Sequence, residues 1–223
     1  MRYILMIFSV LCFSQSVVCQ ISDTDSIRPL QKVPIAIEAF TTDKAVNFQM
    51  ITDKKFTGQN KFGFFGVANL LNRYDNDRQK NEFMVLSMAS FQIFRRISIA
   101  TGMWVNNTMG VRPTAALNYT QAGSKFLLVY VSRIDLTESH NLENVLICEF
   151  YPKISKSWGL YNRLQAMYNY SLGGQAHDRS YIYLRAGASY RNFRFGLGSN
   201  IDYYGPDRLE NLSAGLFLGT QLF

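Results

Sequence analysis

The sequence is poor in the residue types that build disulfide scaffolds, metal centres and charged surfaces. Among 223 residues there are three cysteines, at positions 12, 19 and 148, and two histidines, His140 and His177. Cys12 and Cys19 fall in an apolar N-terminal leader, so Cys148 alone is left and an intramolecular disulfide is excluded from the remainder. Two distant histidines with no cysteine beside them give no metal-ligand spacing, and no cofactor motif is present. Charge is sparse as well: 17% of residues are Asp, Glu, Lys or Arg, below the usual quarter. Aromatic residues make up 14% and hydrophobic residues 48%, which excludes a mostly disordered chain. Past residue 20 no uninterrupted apolar run approaches the roughly 18 residues of a spanning helix. A β protein remains, either soluble or a membrane barrel.

The N-terminus has the three-part layout of a secretory signal peptide. Arg2 supplies the positive charge, residues 3–13 are apolar, and the polar segment Ser14-Gln15-Ser16-Val17-Val18-Cys19 follows. Cleavage between Cys19 and Gln20 is expected, with lipid attachment at Cys19 as the alternative; Ser16-Val17-Val18 lacks the leucine usual at such sites. Residues 20–32 are polar and aperiodic and read as a flexible lead-in. Four Asn-x-Ser/Thr sequons, at Asn106, Asn118, Asn169 and Asn211, are read as chance in a chain of this composition.

From Val33 to Phe223 the chain alternates apolar and polar residues in stretches of about ten, bounded by Gly, Asn, Asp, Ser or paired basic residues. Ile182, Leu184, Ala186 and Ala188 interleave with Tyr181, Tyr183, Arg185, Gly187 and Ser189; Phe193, Phe195, Leu197 and Ile201 interleave with Arg194, Gly196, Gly198, Asn200 and Asp202. The pattern predicts about twelve strands: 33–41, 44–53, 61–73, 82–94, 96–105, 112–121, 125–135, 143–154, 158–170, 180–190, 193–203 and 211–222. Short links alternate with longer ones at 74–81, 106–111, 136–142, 171–179 and 204–210. Short turns on one rim and longer loops on the other are the layout of a transmembrane antiparallel up-and-down β-barrel. The link 54–60 is long on the short-turn side.

Which face is apolar separates a soluble barrel from a membrane one. The less apolar face here carries Gly102, Gly187, Gly196, Gly198 and Gly215 with few charges, whereas a water-facing exterior would carry dense Lys and Glu. Trp104, Tyr119, Tyr151, Trp158, Tyr170, Tyr190 and Tyr203 gather near strand ends, as an interfacial girdle requires. A soluble periplasmic β protein is the architectural alternative. The final segment 211–223, amphipathic and closing on a C-terminal Phe, resembles the assembly signal of Gram-negative outer-membrane barrels. Leu218, Leu222 and Phe223 carry that resemblance; Gln221 stands where the signal usually has an aromatic residue, and Phe217 and Phe223 fall on the opposite parity from the leucines. The resemblance implies an outer-membrane location, passage through the barrel-assembly machinery, and contact with outer-membrane lipids, lipopolysaccharide and envelope proteins.

Interior polar residues are the candidate functional set. Turn placement puts Glu149, Arg163 and Arg185 at similar heights on three neighbouring strands, with Arg194 lower and Asn200 and Asp202 higher. Such charges either line an aqueous channel or cross-link into a plug. The expected function is a passive channel for small hydrophilic solutes, favouring anions through Arg163, Arg185 and Arg194. A closed structural barrel, with loops 74–81 and 171–179 against envelope partners, is the second reading. A lipid-acting enzyme is the third: outer-membrane phospholipases and lipid A deacylases resemble this architecture, and His140 and His177, the latter in His177-Asp178-Arg179-Ser180, are its candidates. Both histidines otherwise read as solvated loop residues. The net charge of +7 comes from dispersed basic residues with no stripe, so nucleic-acid binding is not expected.

Overall fold

The structure, a computed structural model, describes residues 34–56, 61–75, 77 and 80–222. The expected signal peptide 1–19, the lead-in 20–32 and Phe223 of the assembly signal lie outside the described residues. Twelve strands follow one another: β1 (Ile35–Thr42), β2 (Ala45–Lys55), β3 (Phe62–Arg73), β4 (Glu82–Phe94), β5 (Ile97–Asn106), β6 (Gly110–Ala122), β7 (Phe126–Asp135), β8 (Asn141–Phe150), β9 (Trp158–Ser171), β10 (Ala176–Tyr190), β11 (Phe193–Tyr204) and β12 (Leu209–Leu222). Each strand pairs antiparallel with its chain neighbours, and β1 closes on β12, with Ile35 opposite Leu222 and Thr42 opposite Gly215. Closure leaves no unpaired edge. A strand of twelve residues runs about 40 Å and, tilted as barrel strands are, crosses about 30 Å.

One rim, here the terminal rim, carries both barrel ends, the end of β2 and start of β3, and the links 95–96, 123–125, 151–157 and 191–192; the loop rim carries the end of β3 and start of β4 and the links 43–44, 107–109, 136–140, 172–175 and 205–208. Two boundaries differ from the sequence expectation by four residues, the others by at most two. The eighth strand stops at Phe150 rather than 154, because Pro152 cannot donate to the ladder; a single bridge, Lys153 to Gly159, follows. The tenth starts at Ala176 rather than 180, because a register shift between His177 and Arg179 absorbs the irregular polar stretch that reads as a loop.

The wall is inverted relative to a soluble barrel. Large apolar side chains stand exposed outside, among them Leu197 (67%), Leu212 (61%) and Leu216 (58%), while Glu38, Arg133, Arg163 and Arg185 are buried inside. The interior has two halves. Phe65, Leu86, Met88, Ala100, Trp104, Ala116 and Val131 pack into one apolar cluster on β3–β7. The opposite half, β8–β12 with β1, holds most of the buried polar groups. Within this half the backbones approach closely at Gly187, which faces Gly196 across the β10–β11 pair. A Cβ on Gly187 would lie 2.1 Å from the Phe195 carbonyl oxygen, so no other residue fits without moving backbone.

Candidate functional site

Two tiers of arginine–carboxylate pairs bridge the lumen. In the tier nearer the terminal rim, Glu38 Oε1 accepts from Arg163 Nη2 at 2.7 Å and from Arg185 Nε at 2.9 Å. Glu38 lies on β1 and the arginines on β9 and β10, four and three strands away around the ring, so the pairs cross the lumen rather than run along the wall. Arg185 also donates through Nη1 to Asn200 Oδ1 at 2.8 Å and lies over the Phe40 ring at 4.1 Å. Beside it, Arg194 Nη1 meets Glu149 Oε2 at 3.0 Å, the Tyr161 hydroxyl donates to Glu149 Oε1 at 2.8 Å, and the Arg194 guanidinium lies 4.4 Å from the centre of the Tyr161 ring.

The tier nearer the loop rim centres on Arg179. Its Nη1 donates to Glu82 Oε2 at 2.7 Å and its Nη2 to Asp202 Oδ1 at 2.8 Å. Glu82 belongs to β4 and Arg179 to β10, opposite walls of a twelve-strand ring. The hydroxyls of Tyr183 and Tyr204 complete the cluster, donating to Asp202 at 2.9 Å and to Glu82 at 3.1 Å. A second group surrounds Arg133, which pairs with Asp135 and with Glu143 (3.1 Å) and lies 4.8 Å from the Trp104 ring centre. Arg112 joins Asp135 at 3.4 Å and Ser139 at 2.7 Å.

In barrel order from the terminal rim, Arg194, then Arg163 beside Arg185, then Arg179 form a column along the β9–β11 wall. Guanidinium groups with carboxylate partners stay charged, and their fork geometry suits paired oxygens on a carboxylate or phosphate. The column thus sets a row of paired donors along one wall of the lumen, each engaged by an internal carboxylate. On the loop rim, outside the wall, exposed Asp75 accepts from the Asp77 backbone N–H and from Arg73, which lowers its carboxyl below the usual range.

The described residues singled out from the sequence each have a definite place. Glu149, Arg163, Arg185, Arg194, Asn200 and Asp202 all point inward and take part in the contacts above. Sequence reasoning missed Glu38, Glu82, Arg179, Tyr161 and Tyr183, which supply the partners. Glu38 interrupts the apolar stretch Ile35–Phe40 on inward parity, a signal that was readable; Glu82 stands at a strand start and reads as loop. Of the girdle set, Tyr119, Trp158, Tyr170, Tyr190 and Tyr203 point outward near strand ends, and Trp158 packs on Tyr190 with ring centres 4.9 Å apart. Trp104 and Tyr151 do not belong to it. Trp104 shares inward parity with Gly102 and is 5% exposed in the apolar interior cluster. Tyr151 follows the parity of Glu149, packs against Phe40, Tyr161 and Phe217, and donates to the Gly123 and Phe126 carbonyl oxygens. Leu218 and Leu222 point outward, while Phe217 points inward onto Tyr161.

His177 is also displaced from its expected place. It lies within β10 rather than a loop and is 7% exposed. His140 is a loop residue with φ +42°.

An apolar exterior edged by aromatic rows, around a lumen of paired charge, defines a transmembrane antiparallel β-barrel. No helix among the described residues is long and apolar enough to cross a membrane. No family model matches the chain, and no curated protein matches its sequence. Among solved structures the chain is similar to KdgM porin at 12% identity and a TM-score of 0.45, covering 86% of this chain and 99% of that one. It is similar to NanC porin at 11% identity and a TM-score of 0.44, covering 86% and 99%. The outer membrane protein OprD from Pseudomonas aeruginosa follows at 10% identity and a TM-score of 0.41, covering 81% and 60%. KdgM porin has also been solved in complex with disordered oligogalacturonate.

Proposed function

We propose that the protein is a passive channel of a Gram-negative outer membrane for small hydrophilic solutes, with a preference for anions. The arginine column Arg194, Arg163 with Arg185, and Arg179 carries this reading, because it gives an anion a succession of bidentate sites from one rim to the other. Solute moves along the polar half of the lumen, β8–β12 with β1, while the apolar half on β3–β7 stays packed. The cross-lumen carboxylates Glu38 and Glu82 act as exchangeable stoppers that a solute anion displaces.

Single-channel recording in planar bilayers tests the reading. Reproducible conductance steps are expected, with reversal potentials under a salt gradient on the anion side and the preference reduced in Arg163→Ala and Arg185→Ala. A folded barrel that passes no current overturns it. That outcome supports a second reading favoured by the same ion pairs, a closed structural barrel that serves as scaffold or subunit of an envelope complex.

The partner assignments are proposals of the same kind. With the termini on the periplasmic side, lipopolysaccharide phosphates meet Lys44 and Arg208 on the loop rim. The 172–175 link and the described part of 74–81 offer themselves there to envelope proteins. Leu218 and Leu222 serve recognition by the barrel-assembly machinery.

A further inference from the structure

We propose that Ser180 and His177 form the nucleophile–base pair of an acyl-ester hydrolase site on the outer wall of the barrel, with the acyl ester of a membrane lipid as substrate. His177 Nδ1 lies 2.6 Å from the Gly205 carbonyl oxygen, and its Nε2 lies 3.0 Å from Ser180 Oγ. A carbonyl oxygen only accepts, so Nδ1 carries the proton and Nε2 keeps its lone pair. The Ser180 hydroxyl therefore donates to Nε2. This is the arrangement a serine nucleophile needs: a neutral imidazole in the correct tautomer, oriented by a third group on its far side.

The backbone is shaped to make this pair. Residues three apart in a regular strand point to opposite faces, but the register shift between His177 and Arg179 turns both His177 and Ser180 outward. The Gly205 amide donates to the Asp178 carbonyl at 2.7 Å, clamping the 205–208 turn against the bulge. The Tyr168 ring, 5.5 Å away between centres, covers the imidazole.

The surroundings suit a lipid ester. Asn144, Tyr168, Ser180 and Tyr203 lie in one register row across β8–β11, and the next outward row is Leu146, Ala166, Ile182 and Ile201. Side chains thus pass from polar to apolar at the height of Ser180, which is where a lipid's ester linkage sits between headgroup and acyl chain. Ser180 lines a groove of about 280 Å³ with Tyr130, Leu146, Ala166, Tyr168 and Tyr203. Directly below in register, a wider groove of about 670 Å³ runs over Cys148, Leu164, Leu184 and Leu197. An acyl chain fits along the two.

The chemistry balances with water as the second substrate. Ser180 Oγ bonds to the ester carbonyl carbon as its proton passes to His177 Nε2; the carbon–oxygen bond to the alcohol breaks and the alcohol leaves with that proton. Water then adds to the acyl-serine, His177 again taking and returning a proton, and releases the carboxylic acid with Ser180 restored.

The test uses the full folded chain in detergent micelles, with p-nitrophenyl palmitate as substrate and a fluorophosphonate as covalent probe. Turnover is expected, together with a fluorophosphonate adduct mapped to Ser180 by mass spectrometry. Ser180→Ala and His177→Gln should each lower turnover by at least about 100-fold, with barrel mobility on unheated gels unchanged. Conductance should also be unchanged in Ser180→Ala, because Ser180 faces outward; failure of the hydrolase site and failure of the channel are thus separable. Folded wild-type chain that neither turns over the ester nor labels at Ser180 overturns the proposal, as does turnover that survives Ser180→Ala. If a variant does not fold, labelling of the wild-type chain at Ser180 decides alone.

Discussion

A single carboxylate oxygen, Glu38 Oε1, accepts from two guanidiniums that sit side by side, Arg163 opposite Arg185 in the β9–β10 pair. Such a group is costly to remove because both positive charges stay behind, buried and mutually repelling. Glu38→Gln is expected to destabilise the barrel by about 3–5 kcal/mol, read as a lower urea midpoint in tryptophan fluorescence. Tyr161→Phe removes only the hydroxyl that donates to Glu149, which keeps Arg194 as a partner, so a smaller loss of about 1–3 kcal/mol is expected. The order of these two effects checks which carboxylate the interior depends on. At this scale the sequence was half legible. Alternation tells which face Arg163, Arg185 and Glu149 occupy, since parity is set by the strand alone. It does not tell what they meet, because Glu38 and Arg163 are far apart in the chain and approach only when the ring closes.

Strands were the most legible level, because each strand writes its own period of two into the chain and its ends are marked by Gly, Asn, Asp or basic pairs. The expected spans agree with the twelve observed, apart from shifts of a few residues at their ends. The failures have local causes. Pro152 ends β8 early, and the bulge at Asp178 hides four residues of β10 by breaking the alternation. Trp104 reads as girdle because aromatic residues near strand ends usually are, but parity with Gly102 governs and sends it inward. The Gly187–Gly196 pair is where an element-level prediction is sharpest. Gly187→Val must move backbone to clear the Phe195 oxygen, so β10 and β11 lose their pairing there. The variant is expected to remain unfolded, running on unheated gels at the mobility of the boiled chain.

On the scale of the whole molecule, the exterior band decides where the protein resides. Leu216 stands in the middle of β12, outward and 58% exposed, beside Thr41 on β1 and Leu197 on β11. Leu216→Arg is expected to cost about 2–4 kcal/mol when the barrel folds into lipid bilayers and far less in detergent, where a micelle deforms around a charge. A soluble barrel would show no such dependence on the host. This inversion of inside and outside was legible from the small, weakly charged face of the strands. The apolar cluster of Phe65, Leu86, Met88 and Trp104 was not, because period alone cannot report that half of an inward face is greasy.

The bond between Glu38 and its arginines also sets an order of events. Its partners are separated by 125 and 147 residues in the chain, and β1 must find β12 before Glu38 can reach across. Contacts of such separation form late. Until the first and last strands zip together, Arg163 and Arg185 lack the carboxylate they share, whereas Arg194 and Arg179 already have Glu149 and Asp202 within reach on nearby strands. Sealing of the seam and neutralisation of this arginine pair are therefore one event, late in folding, and a chain cut short of β12 would have neither.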